Sequence, residues 1–277
     1  MWGTTWAAIR VGLTGIPPFT SLSLRFAAAS LILLVVAKAM KVPLGAQPHE
    51  KLLWLVNGTL LFSISFGVVY WSEQYIPSGL ASILFATFPI LVTILAHFVL
   101  PGEPLSFRTG LGALIAFAGI VVIFSEDLVK IGGPKAGIAA SVFLLSPLVS
   151  SLSSVVIKKW GATIPPISLA AVPMALASVV IGVLAFIFER HRPTAWTAKS
   201  VGSLAYLAIL GSAITFTVYY WLLRHVRASR VALIAYATPV FAVATGVLVL
   251  HEPLTSRFIA GGVLVIAGVA CSAQSRY

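Results

Sequence analysis

Glu103-Pro104-Leu105-Ser106 opens one apolar segment, and Glu252-Pro253-Leu254-Thr255 opens a second one 149 residues further along the chain. Other residues repeat at offsets of 148 to 150: Arg108 and Arg257, Gly112 and Gly261, Gly119 and Gly268, Tyr70-Trp71 and Tyr220-Trp221, Pro89 and Pro239. Self-similarity at a fixed offset indicates an internal repeat. In an apolar chain such a duplication is typical of secondary transporters, whose substrate site lies between the two halves.

The composition is that of a membrane protein. The chain has 277 residues, of which 59% are hydrophobic and 9% charged, and its mean hydropathy is +1.04. An ordinary soluble domain carries about 25% charged residues. Apolar runs of about 20 residues, long enough for a helix to cross the bilayer, recur along the chain. They are continuous, whereas the strands of a β-barrel alternate apolar and polar residues. The sequence therefore predicts an all-α integral membrane protein.

Ten spans follow from the order of apolar runs and polar breaks: 1–14, 20–40, 52–73, 78–100, 107–125, 136–158, 167–188, 200–223, 229–250 and 256–273. Residues 1–125 hold the first five spans, 126–135 form a linker, and 136–277 hold the last five. An odd number of spans per half reverses the orientation of the second half. We therefore expect ten transmembrane helices in two inverted five-helix repeats.

The first span is short for a transmembrane helix. Trp2 aligns with Ser150, whereas the span that contains Ser150 begins near residue 136. Measured against its repeat partner, the first helix lacks about fourteen residues, so we expect it to be truncated at its N-terminus. The alternative is a genuinely short, re-entrant or interfacial first segment.

The net charge of +11 is interpreted as a topology signal, because Lys and Arg lie one to three at a time between the spans. With both termini in the cytoplasm, ten of these residues lie inside and eight outside, which agrees weakly with the positive-inside rule. The lone Cys271 cannot form an internal disulfide, and no cluster of metal ligands stands out. We therefore expect no cofactor, no metal and no nucleic-acid partner.

Polar and aromatic residues recur at helical spacing within several spans, and a polar group that faces lipid is costly. Mid-span prolines at equivalent positions of both halves would also leave carbonyls unpaired beside a cavity. For each residue alone, ordinary helix packing is the alternative. As a set, they predict a cavity between the halves that suits neutral, zwitterionic or aromatic solutes. The predicted cavity residues are Ser63, Phe66, Tyr70, Glu73, Ser82, Phe85, Pro89, Phe216, Tyr220, Tyr236, Thr238 and Pro239.

Charged groups are scarce inside the spans. Glu73 lies at a span end, where it touches either the cavity mouth or solvent, and Arg10 and Arg25 are expected to snorkel to the surface. Glu103 and Glu252 precede the fifth and tenth spans and are expected to cap those helices. Because no carboxylate is clearly placed in mid-membrane, the sequence does not support proton coupling.

The chain resembles the EamA-domain members of the drug/metabolite transporter superfamily over essentially its whole length. The resemblance is carried by Trp2-Gly3, Arg25-Phe26, Gly79-Leu80-Ala81-Ser82, Gly102-Glu103-Pro104-Leu105 and His251-Glu252-Pro253-Leu254. It implies an inverted arrangement of five plus five helices with cytoplasmic termini. It also implies that spans 1, 3, 4, 6, 8 and 9 line the path, while spans 5 and 10 are peripheral. Members of the family export amino acids, other metabolites or toxic compounds.

The predicted function is a secondary transporter in the cell (inner) membrane, an exporter of small organic solutes such as amino acids or related metabolites, which works by alternating access. A non-transporting structural or receptor-like membrane protein is the alternative. An integral-membrane enzyme is disfavoured because the sequence shows no convergent acid, base and nucleophile and no catalytic motif. The expected partners are a small-molecule solute and the lipid bilayer. The oligomeric state, including a homodimer, is left open.

Overall fold

The structure is a computed structural model and describes residues 2–123, 125, 134–237 and 256–273. Within these ranges the chain is helical and contains no strand. The helices are labelled in chain order: α1 (Thr5–Leu13), α2 (Pro18–Ala39), α3 (Glu50–Ser72), α4 (Ser78–Phe85 and Phe88–Val99), α5 (Phe107–Ile123), α6 (Pro134–Phe143 and Leu145–Trp160), α7 (Pro166–Glu189), α8 (Ala198–His225), α9 (Ala228–Ala237) and α10 (Ser256–Ala273).

Six of these helices are long and apolar enough to cross a membrane: Pro18–Ala39, Glu50–Ser72, Leu80–Val99, Lys135–Trp160, Pro166–Glu189 and Ala198–His225. Three shorter apolar helices accompany them: Phe107–Ile123, Ala228–Ala237 and Ile259–Ser272. Many large apolar side chains on these helices are exposed, for example Phe98 at 78% and Val179 at 67%. The prediction of an all-helical, multi-pass membrane protein is confirmed.

Helices α2 and α7 begin with the same local sequence, Ile-Pro-Pro, at Ile16-Pro17-Pro18 and Ile164-Pro165-Pro166. Proline suits the first helical turn because its φ angle is helical and no N–H is needed there. The two helices pack against each other in antiparallel orientation. Ser23 donates a hydrogen bond of 2.8 Å to the carbonyl of Ser178, and Ser30 donates one of 2.8 Å to the carbonyl of Ala171.

Helices α5 and α10 pack through glycines that belong to the repeat. A Cβ added at Gly112 would lie 2.5 Å from the carbonyl oxygen of Gly268, and one added at Gly119 would lie 2.6 Å from that of Gly261. Small residues permit such close approach of two helix backbones in a membrane. Because Gly112 meets Gly268 while Gly119 meets Gly261, the helices are antiparallel. The two contacts also exchange under the 149-residue offset.

Four helices contain irregular stretches, and two of these stretches lie at equivalent positions of the repeat. Helix α3 contains a π-helical stretch at Gly58–Ser65, and α8 contains one at Ile209–Ile214, about 150 residues later. Helix α4 is interrupted at residues 86–87, directly before Pro89, and α6 is interrupted at Leu144, shortly before Pro147. Proline cannot donate the backbone hydrogen bond that would continue the preceding turn. The mid-span proline of α4 therefore coincides with a break, as the sequence suggests.

Candidate functional site

A cavity lies between helices from both halves of the chain. The volume of the cavity is about 70 Å³. Helices α1, α2, α3, α4, α6, α8 and α9 line it. Among the described residues, α5 and α10 contribute nothing to its wall. The lining residues are Thr5, Trp6, Ile9, Arg25, Leu61, Ser65, Phe66, Val69, Phe85, Phe88, Ser150, Ser154, Phe216, Tyr219 and Ala235.

Aromatic rings form much of the wall and support one another. Phe85 stacks on Phe88 with ring centroids 5.4 Å apart and meets the edge of Trp6 at 5.6 Å. Phe66 of α3 meets Phe216 of α8 at 5.8 Å. Offset and edge-to-face aromatic pairs of this kind add to the apolar burial of each ring. The wall therefore offers a rigid apolar surface to which both halves contribute.

Arg25 lies at the cavity, and its side chain is 0% exposed. The expectation that Arg25 snorkels to the surface is wrong. Its Nε donates to Ser212 Oγ at 2.8 Å, Nη1 to the Tyr70 hydroxyl at 3.1 Å and Nη2 to the Gly211 carbonyl at 3.1 Å. The guanidinium also lies 5.1 Å from the ring centroid of Phe66, within cation–π range. A charge buried in the bundle is thus held by polar groups from both halves.

The cavity wall also has a polar part, in which hydroxyl groups of α3, α6 and α8 cluster. Ser65 Oγ lies 2.8 Å from Ser146 Oγ and 2.7 Å from Ser150 Oγ, so α3 is bonded to α6. The Tyr219 hydroxyl donates to Ser154 Oγ at 2.8 Å, which joins α8 to the same face of α6. These hydroxyls can exchange hydrogen-bond partners, because each can both donate and accept.

Asn57 connects three helices behind the cavity wall. Its Nδ2 donates to the Tyr220 hydroxyl at 2.7 Å and to the Leu169 carbonyl at 2.8 Å, while its Oδ1 accepts from Ser153 Oγ at 2.8 Å. The Leu169 carbonyl needs this donor because Pro173, four residues later, lies inside α7 and has no N–H. Asn57 therefore replaces a missing backbone hydrogen bond.

The structure brings three of the predicted cavity residues to the cavity wall: Phe66, Phe85 and Phe216. Tyr70 and Tyr220 lie one layer further out, bonded to Arg25 and Asn57. The remaining described members, Ser63, Glu73, Ser82, Pro89 and Tyr236, are buried away from the wall. Thr238 and Pro239 lie outside the described residues. A role of these residues in substrate binding stays a prediction.

The position of Glu103 differs from expectation. Glu103 does not cap α5, the helix that follows it in sequence. It accepts hydrogen bonds from the backbone N–H groups of Ala228 at 2.7 Å and Ser229 at 3.0 Å, so it caps α9 of the other half. Glu189 at the end of α7 caps α2 in the same way, through the N–H of Phe19 at 3.0 Å and of Thr20 at 2.8 Å. Glu252 lies outside the described residues.

Glu73 follows the last residue of α3 and is 2% exposed. Neither of its carboxylate oxygens has a hydrogen-bond partner. Of the two alternatives that the sequence left open, cavity mouth or solvent, solvent contact is therefore wrong, and Glu73 is buried. In the part of the chain that the structure describes, no three His, Cys, Asp or Glu side chains come together in a way that could hold a metal ion.

Sequence reasoning missed Arg25 and the serine-bearing face of α6 because both have common structural explanations. Arginines at span ends usually mark topology, and serines often hold membrane helices together. A signal was present in the spacing of Ser146, Ser150 and Ser154, which places three hydroxyls on one helical face. Ser65 was missed because the π-helical stretch changes the angular spacing along α3.

Comparison with known proteins identifies a family. The family model described as the EamA-like transporter family matches residues 1–125 and again residues 137–274. The chain is 28% identical over 269 residues to the uncharacterized transporter YoaV of Bacillus subtilis, covering 97% of this chain and 91% of that protein. It is 31% identical over 278 residues to the uncharacterized inner membrane transporter YedA of Escherichia coli K12, covering 97% of this chain and 86% of that protein.

A solved crystal structure also matches the fold. It superimposes with a TM-score of 0.83 at 20% sequence identity and covers 98% of this chain and 92% of the other. At this identity the likeness concerns the arrangement of the helices alone.

Proposed function

Because the chain belongs to the EamA-like transporter family, we propose that it moves a small organic solute across the cell (inner) membrane by alternating access. The direction is export, and the solute is an amino acid or a related metabolite. The relative YedA is named as an inner membrane transporter, which agrees with this location.

One observation carries the proposal: a single cavity is lined by side chains from both halves of the chain. Secondary transporters built from repeats bind their substrate at the interface between the repeats and expose it by moving one against the other. Trp6, Phe66 and Phe85 come from the first half, and Ser150 and Phe216 come from the second. A relative movement of the halves would therefore open or close the cavity.

The repeats proposed for this movement are residues 1–125 and 136–277, joined by 126–135, with ten transmembrane helices in an inverted arrangement. Support comes from the repeat-equivalent pairs α2/α7 and α5/α10, in which each helix lies antiparallel to its counterpart. The matched π-helical stretches of α3 and α8 also favour related roles for these helices. Irregular backbone at membrane depth is tolerated where it is buried in protein or lines a cavity.

The first experiment is an export screen followed by reconstitution. Cells that express the chain are screened for metabolites released into the medium, and each positive solute is then tested as a labelled compound in liposomes that contain the purified protein. Phe85→Ala should lower flux severalfold because it removes a stacked ring from the wall. Phe98→Ala on the same helix is the control, since Phe98 is 78% exposed and faces away from the bundle.

The outcome also decides between function classes. A transporter moves solute across the liposome membrane faster than protein-free liposomes do, and its flux responds to Phe85→Ala but not to Phe98→Ala. A receptor-like or structural protein would bind a solute without any flux above the protein-free background. Flux that is equal in both variants would contradict the assignment of this cavity as the transport site.

A further inference from the structure

Among the described residues that line the cavity, Arg25 is the one whose side chain carries a full charge at neutral pH. Burying a charge in the bundle is costly unless it is paired, and charged residues within membrane spans commonly mark substrate or ion paths. No carboxylate of the described residues forms an ion pair with Arg25 within 4.0 Å. Glu73, the buried acid that follows α3, interacts electrostatically with Arg25 but accepts no hydrogen bond from it. Among the described residues, the guanidinium therefore has no carboxylate in direct contact.

The hydrogen bonds of Arg25 leave part of its donor capacity unused. A guanidinium has five N–H donors in a planar fork, and three of them bond to Ser212, Tyr70 and Gly211. All three acceptors are neutral oxygens, so none of these hydrogen bonds pairs the guanidinium with a negative charge. The contacts hold the side chain from α3 and α8 at once and so keep the guanidinium in one place beside the cavity. A fixed guanidinium with spare N–H groups matches the planar oxygens of a carboxylate.

The remaining wall determines what this carboxylate is attached to. Five aromatic side chains besides Tyr219 line the cavity, namely Trp6, Phe66, Phe85, Phe88 and Phe216. Aromatic faces alone would also attract an organic cation, but a cation here would meet the positive charge of Arg25. The cavity volume of about 70 Å³ is about half of the roughly 150 Å³ that holds a benzene ring in a protein interior, so an aromatic solute enters when movement of the two halves widens the cavity.

We propose that Arg25 is a substrate-binding residue and that the cavity takes small solutes that carry a carboxylate on an apolar, aromatic body. The inference rests on the proposed function, because it names the substrate class of the transport cavity. Arg25 is 0% exposed in this conformation. In the widened cavity the carboxylate accepts from the spare N–H groups of Arg25, and the ring of the solute packs against Phe66, Phe85 and Phe216. The serines on α6 offer additional hydrogen bonds to further polar groups.

The test compares three probes that share one aromatic body: 3-phenylpropanoate, 3-phenylpropanamide and 3-phenylpropylamine. Dissociation constants are measured on the purified full chain in detergent by ligand-induced thermal stabilisation, which reports binding to the folded state. The wild-type protein should bind the carboxylate at least tenfold more tightly than the amide, in line with the greater strength of charge-assisted hydrogen bonds. The amine should bind most weakly.

Two variants separate binding from a structural role. Arg25→Gln should bind the carboxylate and the amide within about twofold of each other, because the charge is gone. Arg25→Lys should keep part of the preference, since its ammonium is a point charge without the fork. A merely structural Arg25 would instead weaken binding of all three probes in parallel. If Arg25→Gln does not fold, the comparison among probes in the wild-type protein and in Arg25→Lys still decides the question.

The inference is overturned if the wild-type protein binds the amide or the amine as tightly as the carboxylate. It is also overturned if none of the probes binds, or if Arg25→Gln folds and keeps the full preference. Flux assays with the same probes distinguish this failure from failure of the proposed function. Carboxylate binding that depends on Arg25 without flux of any solute would refute transport and leave the binding site standing. Flux of a neutral or cationic solute without carboxylate preference would support transport and refute the carboxylate site at Arg25.

Discussion

At the scale of single residues, several buried polar groups form hydrogen bonds between the two halves of the chain. Arg25 of the first half bonds to Ser212 and Gly211 of the second, and Asn57 bonds to Tyr220 and Leu169. Each buried polar group without a partner costs free energy, so such pairs favour one particular docking of the halves. The bonds of Arg25 also hold its guanidinium, the charged group among the described wall residues, beside the cavity.

A double-mutant cycle tests the role of Asn57 as a substitute hydrogen-bond donor. Asn57→Ala should lower the free energy of unfolding by about 1–3 kcal/mol, because it leaves the buried Leu169 carbonyl without a donor. In a Pro173→Ala background, residue 173 regains a backbone N–H that can reach Leu169, so the loss caused by Asn57→Ala should shrink by about 1 kcal/mol. Both values are measured by reversible unfolding in mixed detergent. If the effects of Asn57→Ala and Pro173→Ala on the free energy of unfolding add within roughly 0.5 kcal/mol, the two positions are not coupled.

At the scale of helices, the helices that pack closely through glycines are different from those that contain irregular stretches. Helices α5 and α10 approach backbone to backbone through Gly112, Gly119, Gly261 and Gly268 and lie away from the cavity wall. Helices α3 and α8 carry the π-helical stretches, and α4 is broken before Pro89. The resemblance to the family implies that spans 5 and 10 are peripheral, and the cavity wall agrees with that expectation.

Neighbouring glycines on α10 provide a matched test of this packing. A Cβ at Gly261 would lie 2.5 Å from the Gly119 carbonyl oxygen, whereas a Cβ at Gly262 would meet nothing within 4 Å. Gly261→Ala should therefore reduce the free energy of unfolding by about 1–3 kcal/mol through overpacking. Gly262→Ala should leave it unchanged or raise it by about 0.5–1 kcal/mol, because alanine favours the helix. Equal unfolding free energies for the two variants would show that α5 and α10 do not pack as described.

At the scale of the whole molecule, the two halves are held together by reciprocal contacts. Glu103 at the end of α4 caps α9, and Glu189 at the end of α7 caps α2. Each acid lies at or just after the end of one helix. It stabilises the start of the repeat-equivalent helix in the other half, as expected for a carboxylate at a helix N-terminus. These caps join the halves at helix ends, where a relative movement would break or form them.

Cysteine labelling tests the orientation of the halves directly. Ala46 and Ala195 lie 149 residues apart in exposed loops after α2 and α7. In a Cys271→Ser background, a membrane-impermeant maleimide added to intact cells should label Ala195→Cys and leave Ala46→Cys unlabelled until the cells are opened. This result follows from opposite insertion of the repeats with cytoplasmic termini. Labelling of both positions from the same side would indicate parallel repeats.

The sequence by itself determined the class of the protein, its apolar helices and the relation between its halves. These features depend on local or periodic properties: the length of an apolar run, a proline at a helix start, or a glycine that recurs after 149 residues. The position of most helices could therefore be predicted to within a few residues. The repeat pointed to Phe66 and Phe216, and helical spacing pointed to Phe85; all three lie at the cavity wall.

Only the tertiary structure decided which side chains face the cavity and which partners the charged groups take. The π-helical stretch in α3 changes the angular spacing that a regular helix would give, so Ser65 lies at the wall where the regular period predicts Ser63. Arg25 looks like a surface cation in sequence, yet its acceptors Ser212 and Gly211 lie about 190 residues away. Burial and hydrogen bonding of such groups depend on contacts between distant segments, which no local pattern specifies.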